Sequence, residues 1–571
     1  MTSRANTDAH VAVLAARFPA LLHDVQRHLR ELGQPVRPEC ERADSLEFDG
    51  GRNRYLLYAP RAAFVLERLA ELPAHRRLVQ LFHSPAQFLQ ALGDRDFPGC
   101  VADARWQPWL MLPLRAALHV RQLLANTPPR DWPWRLITTP AIEGPAADAV
   151  HRCGSELLGL LEVLQEELAQ ALEARYDGRP GPAAVLAAGA RRLRVLALAG
   201  RASCYMRYCA RDIADGLRAH GVDARYFLFT STPAHGYEIL RNVEAFDPDV
   251  VFLYGHSRNS LVVLPRGLTV LSWDQDYCLA AQPFYAQGRL PQDHLLLMLK
   301  EWEYDAARSG LPADRCTHLN PGTNLRIYFP PAAPPEADCD VLFVGNHSSF
   351  EVHRRLVGFD SLDEASQRIL LYARERLREW VRTAGPQEPY IIPEWDKFLP
   401  RVLAELGLAG DMDPPRWHMV KTFVRYRIAH QLLRELYVTA LTEFDLRVYG
   451  RHWQQVPAVA PLARPEIANG PALRAAMQRA RININLHVWS AHHPRLYDTA
   501  AAGVFQLVAR LPEAYPLEAA FDPREEVDTF GSIAELKEKI RFYLANPQRR
   551  AAMARRAAER ATREHGYAQR M

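Results

Sequence analysis

The sequence predicts an α/β protein of two Rossmann-like lobes preceded by an all-helical N-terminal domain. Three observations carry this expectation. An apolar run ends in glycine at 191–200, a second opens at 338 and runs into Gly345, and before residue 180 apolar residues recur at three- and four-residue spacing with few strand signals.

In order, helices are expected at Phe18–Leu32, Ala62–Leu81, Leu114–Leu124 and Ala146–Arg175. In the last of these, Leu157, Leu158, Leu161, Leu164, Leu168 and Leu172 form an apolar stripe with Glu162, Glu166 and Glu167 largely off it. Pro180, Gly181 and Pro182 break the pattern and close a domain spanning 1–180. The first lobe, 190–330, reads as the strand 191–200, the helix Cys209–His220, and strands at Ala224–Phe229, Asp249–Tyr254 and Leu268–Trp273. Phe329 to Pro335 is a proline-rich link.

The second lobe, 338–571, opens with the strand in DCDVLFVGNHSSF and continues with a helical insertion over about 351–440 that includes Ala365–Arg382 and Trp417–Tyr437. Strands follow at Asp445–Tyr449, Ile482–Leu486 and Val504–Leu507, with a short one ending at Thr529. Helices are expected at Arg495–Ala502, Ile533–Ala545 and Gln548–Glu564. No solenoid repeat is evident.

Composition narrows the function. Seventy Lys+Arg stand against 66 Asp+Glu, a net charge of +4, which does not mark a nucleic-acid binder. Lysine occurs only at 300, 397, 421, 537 and 539, so a phosphate site must rely on arginine, backbone N–H groups or helix N-termini. The cysteines at 40, 100, 153, 204, 209, 278, 316 and 339 form no C-x-x-C pair, as expected of reduced thiols in the cytoplasm. No secretory signal is read at the N-terminus, and no transmembrane segment is expected.

In an open parallel sheet, ligands lie beyond the carboxyl ends of strands, where Gly200, Gly255-His256 and Asp274 fall. The segment from Ile484 to Val508 offers a strand, a polar loop, and a helix whose first turns carry Arg495 and Asp498. A helix start, an arginine fork and a carboxylate suit a nucleoside diphosphate. An exposed Arg495–Asp498 ion pair is the plain alternative. Asp274 and Asp276 make a D-x-D pair, but the same spacing recurs at Asp247/Asp249, Asp338/Asp340 and Asp411/Asp413, so spacing alone does not make a metal site. The adjacent His492 and His493 point apart on an extended loop, with no partners at zinc spacing. The basic stretch 416–430, with Lys421, Arg425 and Arg427, is either a solvated helix face or a wall of the site.

The blocks VLFVGN (341–346), VYGRHW (448–453), INLHVW (484–489), RLYDTAAAG (495–503), FGSIAELKEKIRFYLANPQRR (530–550) and HGYAQR (565–570), in that order, resemble group 1 glycosyltransferases of the GT-B fold, in particular the spore maturation protein B-like branch. PDVVFLYG (248–255), TVLSWDQD (269–276) and HLNPGTNLRIYFP (318–330) resemble its first-lobe strands more weakly, so the resemblance spans about 190–571. The chain departs from the pattern in having Asp498 where the family has Glu, and His565-Gly566-Tyr567 for H-T-Y. Because Met571 follows soon after, the closing helix that crosses to the first lobe is expected to be short or absent.

The resemblance implies sugar transfer from a nucleotide-sugar donor held on the second lobe to an acceptor on the first, with no cofactor and no catalytic metal. It implies that Gly345 and Asn346 let backbone approach the diphosphate, that Tyr449, Gly450 and Trp453 line the base or sugar pocket, that His487 and Arg495 face phosphate, and that Asp498 holds the ribose. Core packing is the equal alternative for Trp453. Any general base must come from His256, Asp274 or Asp276, with Asp274 favoured. A nucleotide-sugar epimerase and a catalytically degenerate sugar- or protein-binding scaffold remain open. A dinucleotide dehydrogenase does not fit, because Gly200-Arg201-Ala202-Ser203 lacks G-x-G-x-x-G. The N-terminal domain is expected to dock a macromolecular acceptor or to mediate homo-oligomerisation, and its Trp106, Trp109, Trp132 and Trp134 are read as core rather than an exposed docking face.

Overall fold

A computed structural model describes residues 54–58, 65–66, 69–70, 77–82, 97–110, 136–138, 145–201, 205–229, 235–258, 260–275, 288–300, 302–356, 359–383, 395–408, 414–487, 490–511 and 515–571. The chain divides into two compact units, one of 1–177 with 229–246 and 262–265, the other holding the remainder.

The first unit is not all-helical. Strands β1 (Arg54–Tyr58), β2 (Arg77–Phe82), β3 (Trp106–Leu110) and β4 (Leu136–Thr138) form a parallel sheet in the order β3-β2-β1-β4. Runs such as RYLLY and RLVQLF are short and apolar, and over five or six residues a buried strand has no periodicity to separate it from a helix turn. The helix expected over Ala62–Leu81 therefore gives way to β2 at its end. Trp106 is core, its Nε1–H donating to Gln80 Oε1 at 2.9 Å. Phe18–Leu32, Leu114–Leu124, Trp132 and Trp134, and the side chain of Trp109, lie outside the described residues. The long helix α1 (Pro145–Tyr176) buries Leu161, Leu172 and Tyr176 and packs on the helix His235–Phe246.

The second unit contains two six-stranded sheets. The first comprises β5 (Arg194–Gly200), β6 (Asp223–Phe229), β7 (Val250–Tyr254), β8 (Thr269–Asp274), β9 (His294–Leu297) and β10 (Cys316–His318), in the order β10-β9-β8-β7-β5-β6. Helix α2 (Met206–Ala219) packs on β5. The second sheet comprises β11 (Cys339–Val344), β12 (Leu446–Tyr449), β13 (Ala463–Arg464), β14 (Ala480–Asn485), β15 (Gln506–Ala509) and β16 (Asp528–Phe530), in the order β13-β12-β11-β14-β15-β16. Its pairings are parallel throughout.

The two sheets are the paired Rossmann-like lobes expected from the sequence. Buried on both faces, β7 and β11 are near-continuous apolar runs. The insertion supplies α3 (Glu364–Thr383), α4 (Pro414–Phe423), a π-helical turn at Val424–Ala429, and α5 (His430–Ala440). After β14 comes α6 (Pro494–Ala501), and α7 (Ile533–Ala545) and α8 (Pro547–Glu564) close the lobe. A last helix, α9 (Tyr567–Arg570), is short but does reach the first lobe, where Tyr567 joins the core beside Val195, Phe252 and Trp273.

Candidate active site

In the second sheet the chain starts at β11, steps one way to β12 and β13, then returns to the other side as β14, so its direction switches between β11 and β14. At such a switch point the flanking loops diverge and leave a crevice above the carboxyl ends of the strands.

The turns after β11 and β12 are locked together. Gly345 N–H donates to Tyr449 O, His347 N–H to Arg451 O and Arg451 N–H to Asn346 Oδ1, each at 2.9 Å. Gly450 has φ +149, and a Cβ there would lie 2.2 Å from Gly345 O, so only glycine lets the two turns meet. Trp453 Nε1–H donates to Gly345 O at 2.6 Å, and its ring sits edge-on to Phe343. The structure thus gathers Gly345, Asn346, Tyr449, Gly450 and Trp453. Of the two roles weighed for Trp453, the geometry fits core packing: it is 0% exposed and bonds the Gly345 turn. A bulky indole whose N–H finds a buried carbonyl belongs to the core.

Arg434, on α5, was not singled out from the sequence. Its Nη1 donates to Asn346 O at 2.9 Å and its Nη2 to Leu486 O at 3.4 Å, so one guanidinium spans the two strand ends at the switch point. His430 lies one turn earlier on the same helix, following the π-helical turn. His487 follows β14, stacked on His493 at 3.9 Å between ring centroids and 5.6 Å from His430. Burial holds all three imidazoles well below the usual histidine range, and nearby arginines and histidines lower them further. His353, pushed down to about 4 mainly by burial, also feels Arg427 and Arg434. The buried His430 Nε2 and His353 Nδ1 have no hydrogen-bond partner among the described residues. Neutral imidazoles around fixed arginines make a site that an anion would complete. The signal available in the sequence was His430 and Arg434 at i and i+4 on one helix face.

The loop from β14 to α6 is held from within. Asn485 Nδ2 donates to Ala491 O at 3.5 Å, while His492 bonds Tyr497 Oη at 2.9 Å and Tyr515 O at 3.0 Å. His493 caps α6, its Nδ1 accepting from Arg495 N at 3.2 Å, with Pro494 in the first turn. His492 and His493 do point apart, and His493 faces the Arg434 cluster. Arg495 is half-buried on the first turn of α6.

Asp498, which the resemblance assigns to the ribose, has a partner within the protein. It is buried, and its Oδ1 accepts from Thr323 Oγ1 at 2.8 Å. Burial pushes its carboxyl up to about 8, with Asp212 adding and Thr323 and Arg495 opposing.

On the first lobe, β7 and β8 are adjacent, so His256 and Asp274 stand at neighbouring strand ends. Asp274 is buried and His256 half-buried; Asp276 lies outside the described residues. Among the described residues no group of three or more His, Cys, Asp or Glu is placed to hold a metal ion. Nor is any helix there long and apolar enough to cross a membrane.

Residues 425–571 match the family described as "Glycosyl transferase-like". The matched span begins in the π-helical turn before His430 and ends with α9, so it contains Arg434, His487, His493 and Asp498. No curated protein matches the chain significantly. Similar solved structures include a sucrose-phosphate synthase from Thermosynechococcus elongatus (10% identity, 66% of this chain and 96% of that one, TM-score 0.35). Others are Anabaena HepE in complex with UDP-glucose (13%, 66% and 96%, TM-score 0.35) and WaaG, a glycosyltransferase involved in lipopolysaccharide biosynthesis (12%, 66% and 97%, TM-score 0.36).

Proposed function

We propose that this protein is a glycosyltransferase of the spore maturation protein B-like branch that moves a sugar from a nucleotide-sugar donor to an acceptor without a catalytic metal. The observation that carries the reading is Arg434 spanning Asn346 O and Leu486 O at the switch point, amid His430, His487 and His493. In this reading the donor diphosphate lies against Arg434, with Arg495 and the imidazoles completing its shell. Gly345 and Asn346 form the floor, and Tyr449 and Gly450 the side.

Sugar transfer builds negative charge on the leaving diphosphate and positive charge on the sugar ring. Arg434, already held by two carbonyls, meets that charge with little reorganisation, and the neutral imidazoles take up protons as it grows. The acceptor belongs on the first lobe, where Asp274, or His256, is positioned at a strand end to take its proton. The N-terminal unit is the proposed docking place for a macromolecular acceptor.

The test is a thermal-shift panel of nucleoside diphosphates and nucleotide sugars, because a ligand that binds only the folded state raises Tm. Stabilisation by UDP or GDP, followed by acceptor-dependent release of the diphosphate in EDTA, is expected. Conversion of the donor without any acceptor would indicate an epimerase. Diphosphate binding with no turnover would indicate a scaffold, and activity abolished by EDTA and restored by manganese would overturn metal independence.

A further inference from the structure

Thr323 is a junction between the lobes. It is fully buried, just before the proline-rich link, and its N–H donates to His565 O at 2.9 Å while its carbonyl accepts from Tyr567 N–H at 3.0 Å. These bonds form an isolated parallel bridge with Gly566 that fastens the end of the chain to the link. The next residue, Asn324, donates from Nδ2 to Asp212 Oδ1 on α2 at 2.8 Å. The hydroxyl of Thr323 points the other way, to Asp498 on α6, five residues after His493.

The strap fastened here is shaped for its place. The Tyr567 hydroxyl lies 3.5 Å from Cys209 Sγ and 3.4 Å from Tyr205 Oη, and its ring is edge-on to Trp273. A Cβ on Gly216 would come within 2.9 Å of the Tyr567 carbonyl, so α2 needs glycine there. Back on the second lobe, His565 Nε2 bonds Ala520 O at 2.9 Å, and Arg570 reaches His565 Nδ1 at 2.8 Å.

We propose that Thr323 and Asp498 are positioning residues of a proton-controlled latch, which holds the start of α6 and the C-terminal strap on the first lobe while the Asp498 carboxyl keeps its proton. The groups facing Asp498 are Asp212 from α2, Tyr205 just before α2, Tyr328 just before the link, and Arg495 on its own helix. Arg495 alone is cationic, while Asp212 opposes a second negative charge. Ionised Asp498 keeps the Thr323 donor but is otherwise desolvated, so it gains from water admitted when Thr323 and α6 separate. The sign follows. The folded carboxyl titrates near 8 and the exposed one near its model value of 3.8, so the latch is tightest below the lower value and loosens as pH rises toward the upper.

Hydrogen exchange by mass spectrometry on the full chain, corrected for the intrinsic rate, tests this between pH 5 and 9. The readout is the 565–571 peptide, with a β14 peptide as control for global opening. In the wild type, strap protection should fall by up to roughly tenfold per pH unit and level off above about pH 8, while β14 stays protected. Asp498→Asn should keep the strap protected at every pH, Thr323→Val should loosen it at every pH, and Thr323→Ser should restore it. A strap that follows β14 at all pH values in the wild type overturns the proposal without any variant. So does an unchanged pH dependence in Asp498→Asn.

Discussion

Arg434 donates to the carbonyl of Asn346 at 2.9 Å, so a residue of the helical insertion closes the turn that ends β11. The insertion thereby becomes part of the candidate site, and the same guanidinium reaches Leu486 O beyond the neighbouring strand β14. Three predictions follow from this geometry and from the turn it supports.

Replacing Arg434 tests the anion site directly. Hydrogen bonds to a charged group contribute about 1.5–3 kcal/mol, so Arg434→Ala should weaken binding of UDP or GDP by roughly tenfold to 150-fold in calorimetry. Arg434→Lys should recover little, because a single ammonium does not reproduce a planar fork spanning two carbonyls. Unchanged affinity in both variants would remove Arg434 from the donor site.

Diphosphate binding should take up protons. His430, His487 and His493 sit well below the usual histidine range because of burial and neighbouring positive charge. A bound anion raises them again, so at pH values between the free and bound positions each complex gains protons. Affinity should be higher at pH 6 than at pH 8, and calorimetry in buffers of different ionisation enthalpy should show net uptake. Proton release, or tighter binding at the higher pH, would contradict this.

Trp453 should matter for stability first. Trp453→Phe keeps an aromatic ring beside Phe343 but leaves Gly345 O without its 2.6 Å partner. The expected loss in urea unfolding is about 1–3 kcal/mol. Donor affinity should change much less than in Arg434→Ala; a loss of affinity with undiminished stability would return the indole to the pocket wall.

The two parallel series were legible because each strand is a buried apolar run ending in a breaker. β5, β7, β8, β11 and β14 lie within a few residues of where their patterns place them. β10 and β13 were missed because CTH and AR are too short to carry a pattern. The four strands of the first unit were missed because short, mostly apolar runs of three to six residues fit a helix turn as well as a strand.

Residue chemistry along the chain determined the two parallel series after residue 190 and singled out the strand-end loops and the segment around α6 as candidates. Tertiary structure alone decided that Arg434, some fifty residues before Leu486, would share a site with it, that Trp453 would face inward, and that Asp498 would bond Thr323. The physical reason is range. Periodicity and turn chemistry act over a few residues, whereas the partner of a buried polar group is set by which distant elements the sheet order brings together.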